Sequence, residues 1–480
     1  PARAYVAAEA YRLDDFRPFF YRTANYGRTW TKIVTGIAPD DFARVIREDP
    51  ERAGVLFAGT ETGLYVSFDD GARWQRLQGN LPVVPIHDLL VKDGDLVVAT
   101  HGRSFWILDD ITPLRQQAER VTRERVHLFT PRATVRFKAD RGFPGRPKPG
   151  KNYRMPGATM ITWRQVEKPE TGEKIEAFVD AGKNPPDGVV VHYWLREVPD
   201  GDVTLTFFDA RGKEIKTLSS AKPEPASPTG EPESEGAPIE AVSGAAPGRE
   251  ERKEQVVPKQ RGLNRFVWNM RYPDAAKLEG DPPMDEATER GIAGPLAAPG
   301  QYRVRLRAGE ETSEARFEIR VDPRVNANGQ ALQEQFTLAL AVRDKLTETH
   351  EAINGIRRMR TQIEAWLGRA KGQRELRALE RSGRAVSAKL REVEGELVQW
   401  RARTRSETLS WPIRLNAKLA ALAGMVSAAD AAPTQGMREL FADLSKRVDA
   451  QLQRLAAIEK AELAEFNAAI RKEKLPPVGR

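Results

Sequence analysis

The 480-residue chain contains no cysteine, which excludes disulfides, thiolate metal sites and thiol nucleophiles together. It also lacks any run near the ~18 apolar residues that a helix needs to cross a bilayer, so no membrane span is read. Histidine is scarce, and His127, His192 and His350 fall in three different regions at no metal-ligand spacing; neither a metal nor a cofactor is expected. The net charge of +8, from 76 basic and 68 acidic side chains, is modest for this length. It comes without aromatic-interleaved basic strands or a recognition helix, so no nucleic-acid partner is expected. An initiating methionine, a basic n-region and an apolar h-region are absent as well, and the chain opens at Pro1 directly into a predicted strand, Ala4–Ala8. The expectation is a mature or partial polypeptide.

What is present divides into modules, and the length suits roughly three domains. Residues 1–115 alternate short apolar runs with turn signals, as sequential antiparallel strands do. Residues 116–157 read as a bridging segment with strands at Val126–Phe129 and Thr134–Phe137, then a Gly/Pro-rich crossing over Gly142–Gly157. Residues 158–323 carry alternating strands at Val189–Leu195, Val203–Asp209, Ile215–Leu218, Gly262–Asn269, Gln301–Ala308 and Ala315–Val321, the pattern of a β-sandwich. An insertion at 219–259, dominated by Pro, Glu, Ser, Gly and Ala, is too polar to bury a core and is expected to be disordered, with a second loop at Gly280–Gly294.

Residues 328–475 show helical periodicity: Leu332 through Trp366, Leu376 through Trp400, Leu415 through Val426 after an opening Pro412, and Leu440 through Phe466 after Thr434 as N-cap. This predicts a four-helix bundle, or a helical hairpin if the long first and last helices project.

The sharpest signal is a repeated octad. Thr23, Asn25, Gly27 and Trp30 recur 44 positions later as Ser67, Asp69, Gly71 and Trp74. A carboxylate or amide at the third place can accept backbone N–H groups across a tight turn, Gly at the fifth permits positive φ, and Trp can pack between neighbouring sheets. The spacing is about that of one four-stranded propeller blade. A decayed third copy runs from Leu96 to Asp110 and echoes Val55 to Asp70.

These residues, with Val55–Val66 before the second octad, resemble the Asp box of bacterial neuraminidase repeats in sialidase-like and sortilin-like propellers. The whole chain resembles the C-terminal half of a large bacterial protein of that kind, often labelled a glycosyl hydrolase. The resemblance implies a multidomain β plus α fold: terminal propeller blades, an immunoglobulin- or fibronectin-like sandwich and antiparallel helices. It implies a structural role for the box residues and a secreted, periplasmic or cell-surface location. Because a propeller closes with about four to eight blades, a partner chain or an upstream segment is expected to complete the ring, and homo-oligomerisation stays open.

Catalytic candidates are sparse. Asp14, Asp15, Glu61, Asp109 and Asp110 lie near predicted strand ends, with Tyr5, Tyr11 and Arg103 available to a central channel. His101-Gly102-Arg103 is the most site-like stretch, since it would set a base beside an anion clamp on one turn; the alternative is a structural turn bonded to its neighbours. Trp163, Trp194 and Trp268 read as a glycan-stacking face or as core, and Arg357, Arg358 and Arg360 as an anion site or a solvated or interdomain face. The functional expectation is an extracytoplasmic scaffold whose propeller binds a protein or glycan ligand. The alternative is a glycoside hydrolase whose catalytic residues lie mostly in upstream blades.

Overall fold

The computed structural model describes residues 2–117, 121–137, 148–154, 160–167, 174–179, 182, 185–221, 256–279, 293–370, 376–401, 407 and 410–472. Most of the expected insertion at 219–259, part of the 142–157 crossing and most of the 280–294 loop lie outside these residues.

Three antiparallel sheets occupy the N-terminal part. The first contains β1 (Ala4–Ala10), β2 (Asp15–Thr23) and β3 (Thr31–Lys32); the second, β4 (Ala43–Glu48), β5 (Leu56–Thr60), β6 (Leu64–Ser67) and β7 (Gln75–Arg76); the third, β8 (Ile86–Lys92), β9 (Asp95–Thr100) and β10 (Phe105–Leu108). Phe20, Ile33, Ile46, Leu56 and Trp74 form a core between the first and second sheets. Phe57, Val66, Ile86, Leu89 and Leu96 form another between the second and third. The second sheet is therefore covered on both faces, which is why every residue of β5 and β6 is buried. A strand covered on both faces reads as a continuous apolar run and not as an alternation.

After the short helix α1 (Thr112–Gln116) come β11 (Val126–Leu128), β12 (Thr134–Arg136), β13 (Asn152–Arg154), β14 (Ile161–Glu167), β15 (Lys174–Phe178), β16 (Val189–Leu195), β17 (Val203–Phe208), β18 (Glu214–Ser219), β19 (Gly262–Trp268), β20 (Gly300–Ala308) and β21 (Glu311–Val321). Two sheets, ordered β11-β16-β19 and β12-β21-β20-β17-β18, share one core centred on Tyr193, Phe207, Trp268 and Phe317. Strands β11 and β12, expected in the bridging segment, thus belong to these sheets, with β12 parallel to β21. Strands β13 to β15 form a separate small sheet. The C-terminal edge of the expected insertion is packed: Val257 is buried in the shared core and its N–H donates to Ser219 O at 3.0 Å.

The helices are α2 (Gly329–Ala370), α3 (Arg377–Leu397), α4 (Leu415–Val426), α5 (Gln435–Ile458) and α6 (Ala464–Lys472), the last two joined by a π turn at Glu459–Leu463. They share one apolar core that includes Val342, Ile353, Met359, Leu390, Leu419, Val448 and Phe466. Thr434 caps α5 as expected, accepting from Met437 N at 3.3 Å. Pro412, expected to open the third helix, lies before it: Arg414 is the N-cap residue and Pro412 O accepts from Gln399 Nε2 at 3.0 Å.

Arg136 joins the sheets to the helices. Its buried guanidinium donates to Ala297 O at 3.1 Å, Gln335 Oε1 at 2.9 Å and Asp430 Oδ1 at 3.1 Å. The chain is thus a mixed, sheet-rich fold with several helices. Among the described residues no sheet closes into a barrel and the three N-terminal sheets form no closed ring.

Candidate functional site

The two octads fold into the same turn. Gly27 N donates to Thr23 Oγ1 at 3.0 Å and Thr29 N to Asn25 Oδ1 at 2.9 Å. In the second copy Gly71 N donates to Ser67 Oγ at 3.0 Å and Arg73 N to Asp69 Oδ1 at 2.9 Å. Both glycines adopt positive φ, as expected, and so do the residues before them, Tyr26 and Asp70. The tryptophans differ. Trp74 is 4% exposed and lies 5.8 Å from Phe20 of the neighbouring sheet, whereas Trp30 is 43% exposed. The expectation that each would pack between sheets fails for Trp30, because no described residue supplies a sheet on its side.

Glu61 lies in the β5–β6 hairpin, and its Oε2 accepts from Arg44 Nε and Nη2 at 3.0 and 2.8 Å. Arg44 also binds Glu9 at 3.0 Å and covers the rings of Tyr11 and Phe42, which stack at 5.0 Å. The hairpin is pinned by Asp41, a residue that sequence reasoning missed; its buried carboxylate accepts from Thr60 Oγ1, Thr62 N, Thr62 Oγ1 and Tyr65 Oη. His101 and Arg103 are exposed, on the β9–β10 turn at Gly102, and the Arg103 carbonyl accepts from Trp106 Nε1 at 2.9 Å. His87, also unmarked by any motif, brings its ring to 4.9 Å from that of His101.

An open groove of about 480 Å³ runs between β1, β4 and β8, lined by Tyr5, Val6, Ala7, Arg44, Val45, Ile46, Arg47, His87 and Asp88. Arg47 donates to Asp88 at 2.6 Å within it. The Tyr5 hydroxyl donates to Asp70 and lies 3.4 Å from Glu48. Burial, then the Asp70 hydrogen bond, pushes its pKa above that of a free phenol, so Tyr5 remains a protonated donor linking two sheets.

The other sequence candidates scatter. Asp15 is held by Arg17, whose hydrogen bonds lower its pKa to about 2. Asp109, raised first by burial and then by the Asp95 charge, adjoins Asp110, whose Oδ2 sits 3.6 Å from His192 Nδ1. Burial lowers the pKa of His192, opposed by Asp110. His127 Nδ1 pairs with Glu124 at 2.6 Å. Trp163 and Trp268 are buried and Trp194 half-buried. Arg357 and Arg360 both clasp Glu394, at 2.9 and 2.7 Å, while Arg358 binds Glu279. Among the described residues no cluster of three His, Asp or Glu forms a metal site, and no helix is long and apolar enough to cross a membrane.

Among the described residues, the outer faces of the first and third sheets share no apolar core with another sheet. On the third, Leu90, Phe105 and Ile107 are 55%, 76% and 58% exposed and, with Val97 and Ala99 between them in register, form an apolar face. On the first, Val6, Ala8, Phe19 and Tyr21 share the face opposite the buried Phe20. Contiguous exposed apolar surface such as that of the third sheet marks interaction sites; on the first, Phe19 and Tyr21 are half-buried and Arg17 and Lys32 lie over the Phe19 ring.

No protein-family model matches the chain, and no curated protein matches it. Among solved structures, an ancestral GH74 enzyme is similar over 46% of this chain and 37% of its own, at 11% sequence identity and a TM-score of 0.18. The match covers well under two thirds of that protein.

Proposed function

We propose that the chain is an interaction or scaffold protein. In this reading the three N-terminal sheets are blades of an Asp-box β-propeller, of the sialidase-like or sortilin-like kind, which further sheets from a partner chain or the same polypeptide complete. The two-sheet unit is an immunoglobulin-like sandwich that, with the helices, mediates docking or assembly, and the completed propeller binds a protein or glycan ligand. Secreted, periplasmic or cell-surface placement rests on the octad resemblance alone.

The observation that carries the reading is the contrast between sheets of one construction. The middle sheet is covered on both faces, while Leu90, Phe105 and Ile107 leave the third sheet's outer face bare. The engagement of Glu61 by Arg44 favours a structural role for that carboxylate. Replacing Phe105→Lys together with Ile107→Lys tests the docking face: the native particle should lose assembled mass in sedimentation while keeping its circular dichroism. Unchanged assembly, or glycoside turnover that Glu61→Gln abolishes, would contradict the scaffold reading.

A further inference from the structure

The first and second sheets share one register. Thr23 and Ser67, which open the equivalent turns, face Ala4 on β1 and Leu56 on β5, so Tyr5, Val6 and Ala7 correspond in order to Phe57, Ala58 and Gly59. β5 has a strand on each side. On the side away from β6 it receives β4, through Arg47 opposite Phe57, Ile46 opposite Ala58 and Val45 opposite Gly59. Among the described residues β1 pairs only with β2, and its other edge is hydrogen-bonded to no strand. The open groove borders that edge, and it is lined by Tyr5, Val6 and Ala7, the positions that correspond to those at which β5 receives β4.

We propose that the free edge of β1 is a strand-acceptor site. This rests on the reading of the three sheets as units of one array, and it names what the first unit binds. The occupant is an extended segment of a partner polypeptide, about five or six residues long, lying antiparallel to β1. It follows the pattern of β4, in which Ala43, Val45 and Ile46 are buried and Arg47 faces solvent.

Two observations select this occupant. An unpaired edge offers main-chain donors and acceptors to any strand, and protected edges usually carry Pro, Lys or inward charges as guards. Ala4–Ala8 has none of these; the flanking Arg3 and Glu9 are instead turned to Glu48 and Arg44 of the second sheet. The β4 strand of a second copy is already paired with its own β5, so it is not free to fill the site.

The probe is a fluorescein-labelled peptide with the sequence of residues 41–50, titrated into the full chain and followed by anisotropy and amide hydrogen exchange. Saturable binding is expected, with slowed exchange within Tyr5–Ala8 and at least about tenfold weaker binding of a scrambled peptide. Successive N–H groups of a strand point to opposite edges, so one of Val6→Pro and Ala7→Pro removes a donor from the free edge and should lose binding. The exchange measurement on the unmodified chain decides the matter if those variants fail to fold. Absence of saturable binding, or protection confined to other strands, overturns the proposal, as does self-association that the peptide displaces, which would assign the edge to a second copy. The Phe105→Lys, Ile107→Lys chain should still bind the peptide. Failure of the strand site with intact assembly would therefore overturn this inference alone, and lost peptide binding would not be confused with a failed docking face.

Discussion

The indole Nε1 of Trp74 donates to the backbone carbonyl of Ile33 at 2.8 Å, which ties the turn of the second sheet to the strand end of the first. Trp30 occupies the same place in the same turn, yet stands in solvent. Turn geometry is local and repeats with the sequence; burial depends on the neighbouring sheet.

Truncation at the two positions should separate these contributions. Trp74→Ala is expected to cost about 3–5 kcal/mol, as removal of a buried aromatic does, whereas Trp30→Ala should stay within about 1 kcal/mol. Urea denaturation of the two variants checks this, and equal losses would mean that the turn itself, not its packing, uses the indole.

The repeat was legible because each of its residues acts within its own turn: Thr23 and Asn25, like Ser67 and Asp69, satisfy backbone N–H groups two to four residues away. The helices were legible for a similar reason, since Val342, Leu346, Ile353 and Ile356 repeat at helical spacing and all are buried. Groups that act across long separations were not. Arg136 meets Gln335 and Asp430 only through the tertiary fold, and Asp41 gathers Thr60, Thr62 and Tyr65 across a hairpin that no motif marks. His87 and His101 likewise meet through strand pairing, and the open edge of β1 is visible only once strand order is known.

The two turn glycines should differ in their tolerance of a methyl group. Both have positive φ, near +81° at Gly27 and +84° at Gly71, which costs an alanine about 1–2 kcal/mol. At Gly71 the added Cβ would also meet Ile33 Cδ1 at 2.6 Å, while at Gly27 its nearest neighbour is the exposed Trp30 ring at 3.7 Å. Gly71→Ala should therefore show the larger fall in melting temperature.

Arg136→Ala should destabilise the chain by about 3–5 kcal/mol, because it removes a buried guanidinium that donates to Ala297 O, Gln335 Oε1 and Asp430 Oδ1 at one junction. Calorimetry is the suitable readout. If the arginine couples the sheets to the helices, the variant should split one transition into two.

Stability should fall on mild acidification. His350 is fully buried, its Nδ1 lies 2.6 Å from Ala276 O, and burial holds its pKa below the usual 6.5. His192 is shifted in the same direction. Below pH 6.5 the unfolded chain takes up protons that the folded chain refuses. The contribution is thus fully present above that value and shrinks as pH falls, until the folded histidines themselves protonate. The slope should not exceed about 1.4 kcal/mol per pH unit for each histidine. Urea midpoints at pH 7.5 and 5.5 measure it, and His350→Asn should flatten the dependence.

The central claim is that the outer sheet faces are covered in the working assembly. Hydroxyl-radical footprinting of the native particle and of the purified chain tests it at the side chains themselves. Phe105 and Trp30 should be protected in the native particle, while Tyr153, exposed on β13 in a separate sheet, reacts equally in the two samples. Equal oxidation of Phe105 and Trp30 in both samples would contradict the account.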